Sequence, residues 1–183
     1  MQSPGGFPIH TPRLLIRSFT ADDAEAMFKV LGDPETMRFF SIWLAKSVDN
    51  ARGFIRWVTG MERDFGYSFW AVVEEQTGEV IGDCGLAPLE GEGPEVELGC
   101  DLRRDRWNMG YATEAGAACL DYGFQILKLD RIVAVTHPDN IAARRVLEKL
   151  GMTLEGRGQH YGAESLVFAV HKPEGSSAKG GSI

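Results

Sequence analysis

Apolar and polar positions change period several times along the chain, and each change marks an element. Between Arg13 and Phe19, Leu14 and Ile16 fall on one face and Leu15, Arg17 and Phe19 on the other, which predicts a strand. Thr20, followed by Asp22 and Asp23, opens a helix that ends at Gly32. Ser47 opens a second helix, with Phe54, Ile55, Val58 and Met61 at helical spacing up to Gly66. Two β-rich runs, 67–75 and 79–89, flank Gln76-Thr77-Gly78 and predict a hairpin. Val96, Leu98, Cys100 and Leu102 alternate through a strand over 95–102. Ala112, Ala115, Cys119, Tyr122 and Ile126 then recur at steps of three and four, predicting a helix over 111–127 whose small residues permit close packing on a sheet. Residues 132–136 read as a buried strand. Asp139 or Asn140 caps a helix with Ala143, Val146, Leu147 and Leu150 inward, closed by Gly151. Two strands near 152–159 and 165–171 finish the pattern.

The order β-α-α-β-β-β-α-β-α-β-β indicates an α+β fold with a mixed central sheet, without the strict strand–helix alternation of a doubly wound domain. At 183 residues the chain suits one domain, over 11–172. Residues 1–10 read as a flexible lead and 173–183 as a disordered Gly/Ser-rich tail.

Charge narrows the partners. Nineteen Lys and Arg stand against 26 Asp and Glu, a net charge of -7, which argues against sequence-independent binding to nucleic acid. It suits a cationic acceptor, and it equally suits a surface charged only for solubility. Cys84, Cys100 and Cys119 are odd in number and lack metal-ligand spacing, so free thiols in a cytoplasmic setting and no metal are expected. No apolar run reaches membrane length, and the first residues lack the pattern of a signal peptide.

The stretch with chemical content runs from Glu95 to Ala115. A strand enters a short loop, and Gly110 stands at the threshold of a long helix. Such a threshold leaves backbone N–H groups unpaired and aimed outward, backed by the positive end of the helix dipole, so a pyrophosphate fits there. Arg103, Arg104 and Arg106 add positive charge. An ordinary strand-to-helix turn with solvated arginines has the same spacing, and a single loop glycine does not separate the two.

The segment Trp107-Asn108-Met109-Gly110-Tyr111-Ala112-Thr113-Glu114-Ala115 resembles the acyl-CoA loop of the GNAT superfamily, Gln/Arg-x-x-Gly-x-Gly/Ala, matching at Gly110 and Ala112. With Trp107 it is similar to the branch containing ribosomal-protein N-terminal acetyltransferases, where glycine usually stands at the position of Asn108. Thr11 to Arg17, the hairpin around Phe69–Val72 and Val80–Leu86, and the run Asn140–Met152 resemble the same branch in the same order, over about 11–170. The resemblance implies a GNAT-like sheet splayed between its middle strands, with helices on both faces. It implies acetyl-CoA as co-substrate and a primary amine as acceptor, a protein N-terminus being favoured over a polyamine, an amino acid or an aminoglycoside. It further implies that the cofactor is held by Cys100, Leu102, Arg104, Trp107, Asn108, Met109, Gly110, Tyr111, Ala112 and Thr113, with Asn140 and Arg144 on the late helix. A homodimer is compatible with this reading.

An amine of pKa near ~10 is mostly protonated at neutral pH and needs a base. Glu97, on the strand beside the presumed thioester and on the same face as Glu95 and Gly99, is the candidate; a solvent-facing strand glutamate is the bland alternative. The family often places Ser or Tyr near the leaving sulfur, where this chain has Ala143 and Leu147. Tyr161 or His160 could supply that proton instead. The missing Ser and Tyr also allow a non-catalytic acyl-CoA sensor. An acyl-cysteine route through Cys100 would need a paired base that the sequence does not offer. Trp43, Trp57 and Trp70 read as core or pocket wall, and His137 as a groove residue.

Overall fold

The structure, a computed structural model, describes residues 7–40 and 43–173. The predicted elements form where the pattern puts them. Strand β2, Leu14–Arg17, buries Leu14 and Ile16 completely. It pairs antiparallel with β1, Ile9–His10, so the last two residues of the expected flexible lead are a strand. The rest of the lead to residue 6, and the tail from residue 174, lie outside the described residues.

Helix α1, Ala24–Leu31, follows a single 3-10 turn in which Asp23 accepts from the Thr20 N–H at 2.7 Å, a capping box. Helix α2, Val48–Phe65, is capped by Ser47, whose hydroxyl accepts from the Asn50 N–H, and ends at Gly66 with φ of 82°. The hairpin is β3, Phe69–Glu74, with β4, Glu79–Pro88. Next come β5, Val96–Leu102, helix α3, Tyr111–Gln125, and β6, Arg131–Thr136. Helix α4, Ile141–Lys149, leads to β7, Thr153–His160, and β8, Ala163–His171. Among the described residues no helix is long and apolar enough to cross a membrane.

The strands form one sheet in the order β1-β2-β3-β4-β5-β6-β8-β7. All pairings are antiparallel except β5 with β6. β4 is buried from Val80 onward because helices cover both faces. On one face α3 packs Tyr111, Ala115 and Cys119 against Trp70, Ile81 and Leu86. On the other, α1 and α2 pack Met27, Val30 and Val58 against Ala71 and Val80.

One polar link ties the first strands to α3. Glu114 accepts from the Thr11 hydroxyl at 2.6 Å, the Arg13 N–H at 2.9 Å and Arg13 Nε at 2.7 Å. The same guanidinium donates to the Met109 carbonyl at 2.9 Å and lies 4.3 Å from the Tyr111 ring centre.

Two glycines let β3, β4 and β5 lie close. A Cβ on Gly85 would stand 2.2 Å from the Ser68 carbonyl oxygen, and one on Gly99 2.7 Å from the Phe69 ring. A Cβ on Gly156 of β7 meets nothing within 4 Å. Gly85→Ala should therefore lose about 1–3 kcal/mol, lowering the melting temperature by about 2–4 °C for each kcal/mol, whereas Gly156→Ala should change it little. Thermal unfolding of the two variants checks this. Equal melting temperatures would show that the close approach at Gly85 is absent.

Candidate active site

β5 and β6 share one register pair, Glu97 with Val133, and then part. On its other side β5 stays bonded to β4, up to the Arg103 N–H donating to the Ile81 carbonyl at 2.8 Å. Antiparallel alternation turns the main-chain groups of Asp101 and Gly99 toward β4, and those of Leu98, Cys100 and Leu102 toward the gap. A cavity of about 200 Å³ lies at the gap and reaches both faces of the sheet. Ala112, Gly116, Ala143 and Leu147 line it from α3 and α4, and Phe40, Trp57 and Phe69 from the opposite side.

At the far end of the gap stands the loop into α3. Gly110 caps that helix with φ of 83°, and Asn108 also has a positive φ, 60°. Asparagine is among the few side chains that adopt this backbone readily, so it preserves the turn the resembling pattern makes with glycine. The first intrahelical bond is Glu114 N–H to the Gly110 carbonyl, which leaves the N–H groups of Tyr111, Ala112 and Thr113 to face a ligand. The loop is fixed from behind: Trp107 Nε1 donates to the Leu102 carbonyl at 2.7 Å, and Arg13 holds the Met109 carbonyl.

Several expected contacts are redirected. The Leu102 side chain is core and its carbonyl belongs to Trp107. Tyr111 is buried, its hydroxyl donating to Glu74 at 2.6 Å, so only its backbone can serve the loop. Arg103 pairs with Asp105 and Glu79, and Arg106 with Asp105, Glu74 and Glu79, so neither is a spare phosphate ligand. Arg104 is exposed, with no ion pair among the described residues. Asn140 caps α4, accepting from the Ala143 N–H at 3.1 Å, and also lines the cavity. The Arg144 guanidinium turns back onto the Pro138 carbonyl at 3.3 Å.

These features fit an extended anionic thioester cofactor. Loop amides and Arg104 suit a pyrophosphate, and the open edge of β5 suits an amide-bearing arm. Thr136 Oγ1, on the cavity wall, and Arg144 Nε are buried polar atoms without a hydrogen-bond partner, as groups awaiting a polar ligand are.

Glu97 sits where the strands part, and it is buried at 5% exposure. The bland alternative of a solvent-facing strand glutamate is thereby corrected. Burial, then the charge of Glu90, raises its carboxyl to about 8, while the Glu90 N–H pulls the other way. Its carboxylate accepts from the Tyr161 hydroxyl. Tyr161 in turn accepts from the Glu90 N–H at 3.0 Å, and its own N–H donates to Glu90 Oε1 at 2.8 Å.

Tyr161 is the site residue that periodicity could not rank. With Gly162 it forms a two-residue hairpin turn, and its φ of 53° is strained for an aromatic residue. The fold holds it there across 64 residues of sequence. His160 faces Glu90 at 3.4 Å and lies outside the cavity lining. Asp83 and Asp101, also on the cavity wall, were likewise not singled out by spacing, although period two puts Asp101 on the face of Glu97. Cys100 lines the cavity, but the neighbouring Cys84 thiol and burial hold its thiol well above the ordinary range, which disfavours a nucleophilic thiolate.

Residues 13–153 match the family model described as acetyltransferase (GNAT) domain. The chain is 31% identical over 153 residues to the uncharacterised N-acetyltransferase p20 of Bacillus licheniformis, covering 84% of this chain and 86% of that protein. It superposes on a GNAT-family acetyltransferase structure from Bacillus anthracis with a TM-score of 0.76 and 29% identity, over 90% of this chain and 98% of that one. RimJ of Mycobacterium smegmatis, solved with CoA-disulfide, shares the fold at a TM-score of 0.74 and 22% identity, over 93% and 90% of the two chains.

A glutamate raised from 4.5 to about 8 holds its proton in the folded state where the unfolded chain releases it, so it makes stability fall as pH rises through that window. Glu97→Gln removes the effect. Its stability relative to the parent should increase from pH ~5 to pH ~9, read by urea unfolding at the two values. A difference independent of pH would mean that Glu97 is already ionised near neutrality.

Proposed function

The chain belongs to the GNAT acetyltransferase family, and we propose that it moves an acetyl group from acetyl-CoA to a primary amine, with Glu97 as the base. The observation that carries this reading is the buried Glu97 at the parting of β5 and β6, with a proton affinity near neutrality and a cavity reaching it from both faces. Acetyl-CoA supplies an activated acetyl thioester. The α3 threshold at Gly110–Thr113 and Arg104 bind its phosphates, and the gap edge of Leu98, Cys100 and Leu102, together with Asn140, orients its arm. The acceptor enters from the α1/α2 side, over Phe40, Trp57 and Phe69.

Glu97 takes the ammonium proton, for which its raised affinity is matched. Tyr161, hydrogen-bonded to Glu97 and on the cavity wall, is the donor that returns a proton on the thiol side. It stands in for the Ser and Tyr replaced by Ala143 and Leu147. A non-catalytic sensor would have no use for a buried glutamate coupled to a strained tyrosine, so the enzyme reading is preferred. A cytoplasmic location is in keeping with three free thiols.

Two experiments test this. Acetyl-CoA at ~100 times its dissociation constant should add about 2.7 kcal/mol to stability; no thermal shift would remove the cofactor site. In a thiol-release assay kcat/KM should rise with pH to a plateau above about 8, the value set by Glu97. Glu97→Gln should lower it about a hundredfold and abolish that limb, and Tyr161→Phe should reduce kcat more than it raises KM. Full activity in Glu97→Gln would reassign the base.

A further inference from the structure

Asp83 of β4 and Asp101 of β5 are direct cross-strand partners. Their side chains therefore stand on one face of the sheet with Cβ atoms ~4.5–5.5 Å apart, an arrangement that is unfavourable for like charges. The other buried acids have protein partners: Asp23 has Arg17 at 2.8 Å, Glu74 has Tyr111 at 2.6 Å and Arg106 at 3.2 Å, and Glu97 has Tyr161. The aspartate pair has none among the described residues. Asp83 is 2% exposed, and its Oδ1 is buried without a donor. Both carboxylates line the cavity that holds Glu97, Asp101 being the more open of the two. An uncompensated pair of this kind is costly in a fold unless something positive reaches it.

Between the pair and Glu97 the floor is apolar. Gly85 and Gly99 are opposite one another, and the Phe69 ring rests on Gly99. Trp57, stacked on Trp43 at 4.9 Å, forms the wall, with faces that attract organic cations. Four residue steps along β5 take Glu97 to Asp101, ~13 Å between Cα atoms at ~3.3 Å each. A chain of methylenes suits this stretch. A peptide would find few partners for its amides there, because the main-chain groups of Gly99 and Asp101 are spent on the β4–β5 ladder and those of Leu98 and Cys100 face the gap that takes the cofactor arm.

Resting on the amine-acetyltransferase reading above, we propose that the acceptor is a linear diamine or longer polyamine, its distal cationic nitrogen held by Asp83 and Asp101 while the reacting amine lies at Glu97. Burial raises the proton affinity of both aspartates, the charge of Asp101 adds to it at Asp83, and an ammonium group relieves the repulsion between them as a proton would. The reacting amine gains orientation from a contact far from the chemistry.

The test uses straight-chain α,ω-diamines from diaminobutane to diaminodecane, n-alkylamines of matching length, and a short peptide with a free N-terminus. Turnover is read by thiol release. Binding is read separately by calorimetry on protein saturated with CoA, so that failure of the transferase reading is distinguishable from failure of this one. Diamines above a threshold length should bind at least tenfold more tightly than their monoamines, and the peptide should compete poorly. In Asp101→Asn and Asp83→Asn the diamine-to-monoamine preference should fall tenfold or more, with the acetyl-CoA thermal shift reporting that each variant is folded. Diamine binding without turnover of any amine would sink the transferase reading and keep the dication site. Equal binding of diamines and monoamines, an undiminished preference in both variants, or a peptide bound more tightly than any diamine would overturn the proposal.

Discussion

The constraint on which the rest depends is the parting of β5 from β6. A parallel pair in the middle of a sheet normally runs its full length, because an unpaired main-chain group in the interior is costly. Here a single register pair holds the strands together before they diverge. The divergence is sustained by what packs on either side. α3 crosses over between the two strands, its small residues Ala112 and Gly116 leave room along the opening, and Leu150, just after α4, fills the space a Cβ on Gly116 would take. The gap is thus a made feature with a rigid rim, and an added extended chain can satisfy its open edge.

Electrostatics reinforce this division. The chain is acidic overall, yet several carboxylates away from the cavity are neutralised locally. Arg103 and Arg106 bind Glu74, Glu79 and Asp105, and Arg13 binds Glu114. These ion pairs do mechanical work: they hold the Trp107–Gly110 loop against the body of the sheet and keep the α3 amides in place. The carboxylates left without a cationic partner at the cavity are Glu97, Asp83 and Asp101. Burial thus leaves these acids with proton affinities above the ordinary carboxylate range, beneath aromatic walls that suit a cation.

The strained turn at Tyr161 belongs to the same economy. An aromatic residue in the left-handed region persists only where surrounding contacts over-determine it. Its N–H and hydroxyl are both bound to Glu90, and its hydroxyl also reaches Glu97. The β7–β8 hairpin is thereby tied to the middle of the sheet and sets a hydroxyl beside Glu97.

Much of this was legible from residues alone. Period-two alternation located β2 and β5 and helical spacing located α2, α3 and α4, because burial on one face imposes those periods, while β-rich runs, turn residues and caps located α1 and the remaining described strands except β1. The caps at Thr20, Ser47 and Asn140, and the glycine ends, are local chemistry and were equally readable. So was the α3 threshold, where backbone geometry follows from a glycine preceding a helix. β1 escaped because two residues carry no period. What the sequence could not decide is which side chains meet. Whether Arg103 and Arg106 face a phosphate or Glu74 and Glu79 depends on contacts across the sheet. Whether Glu97 is solvated or buried depends on a hairpin 64 residues away. That Asp83 faces Asp101 depends on the β4–β5 register. Periodicity records how each segment divides inside from outside; only the tertiary structure pairs one segment's inside with another's, and the proton affinities and the cavity arise from those pairings.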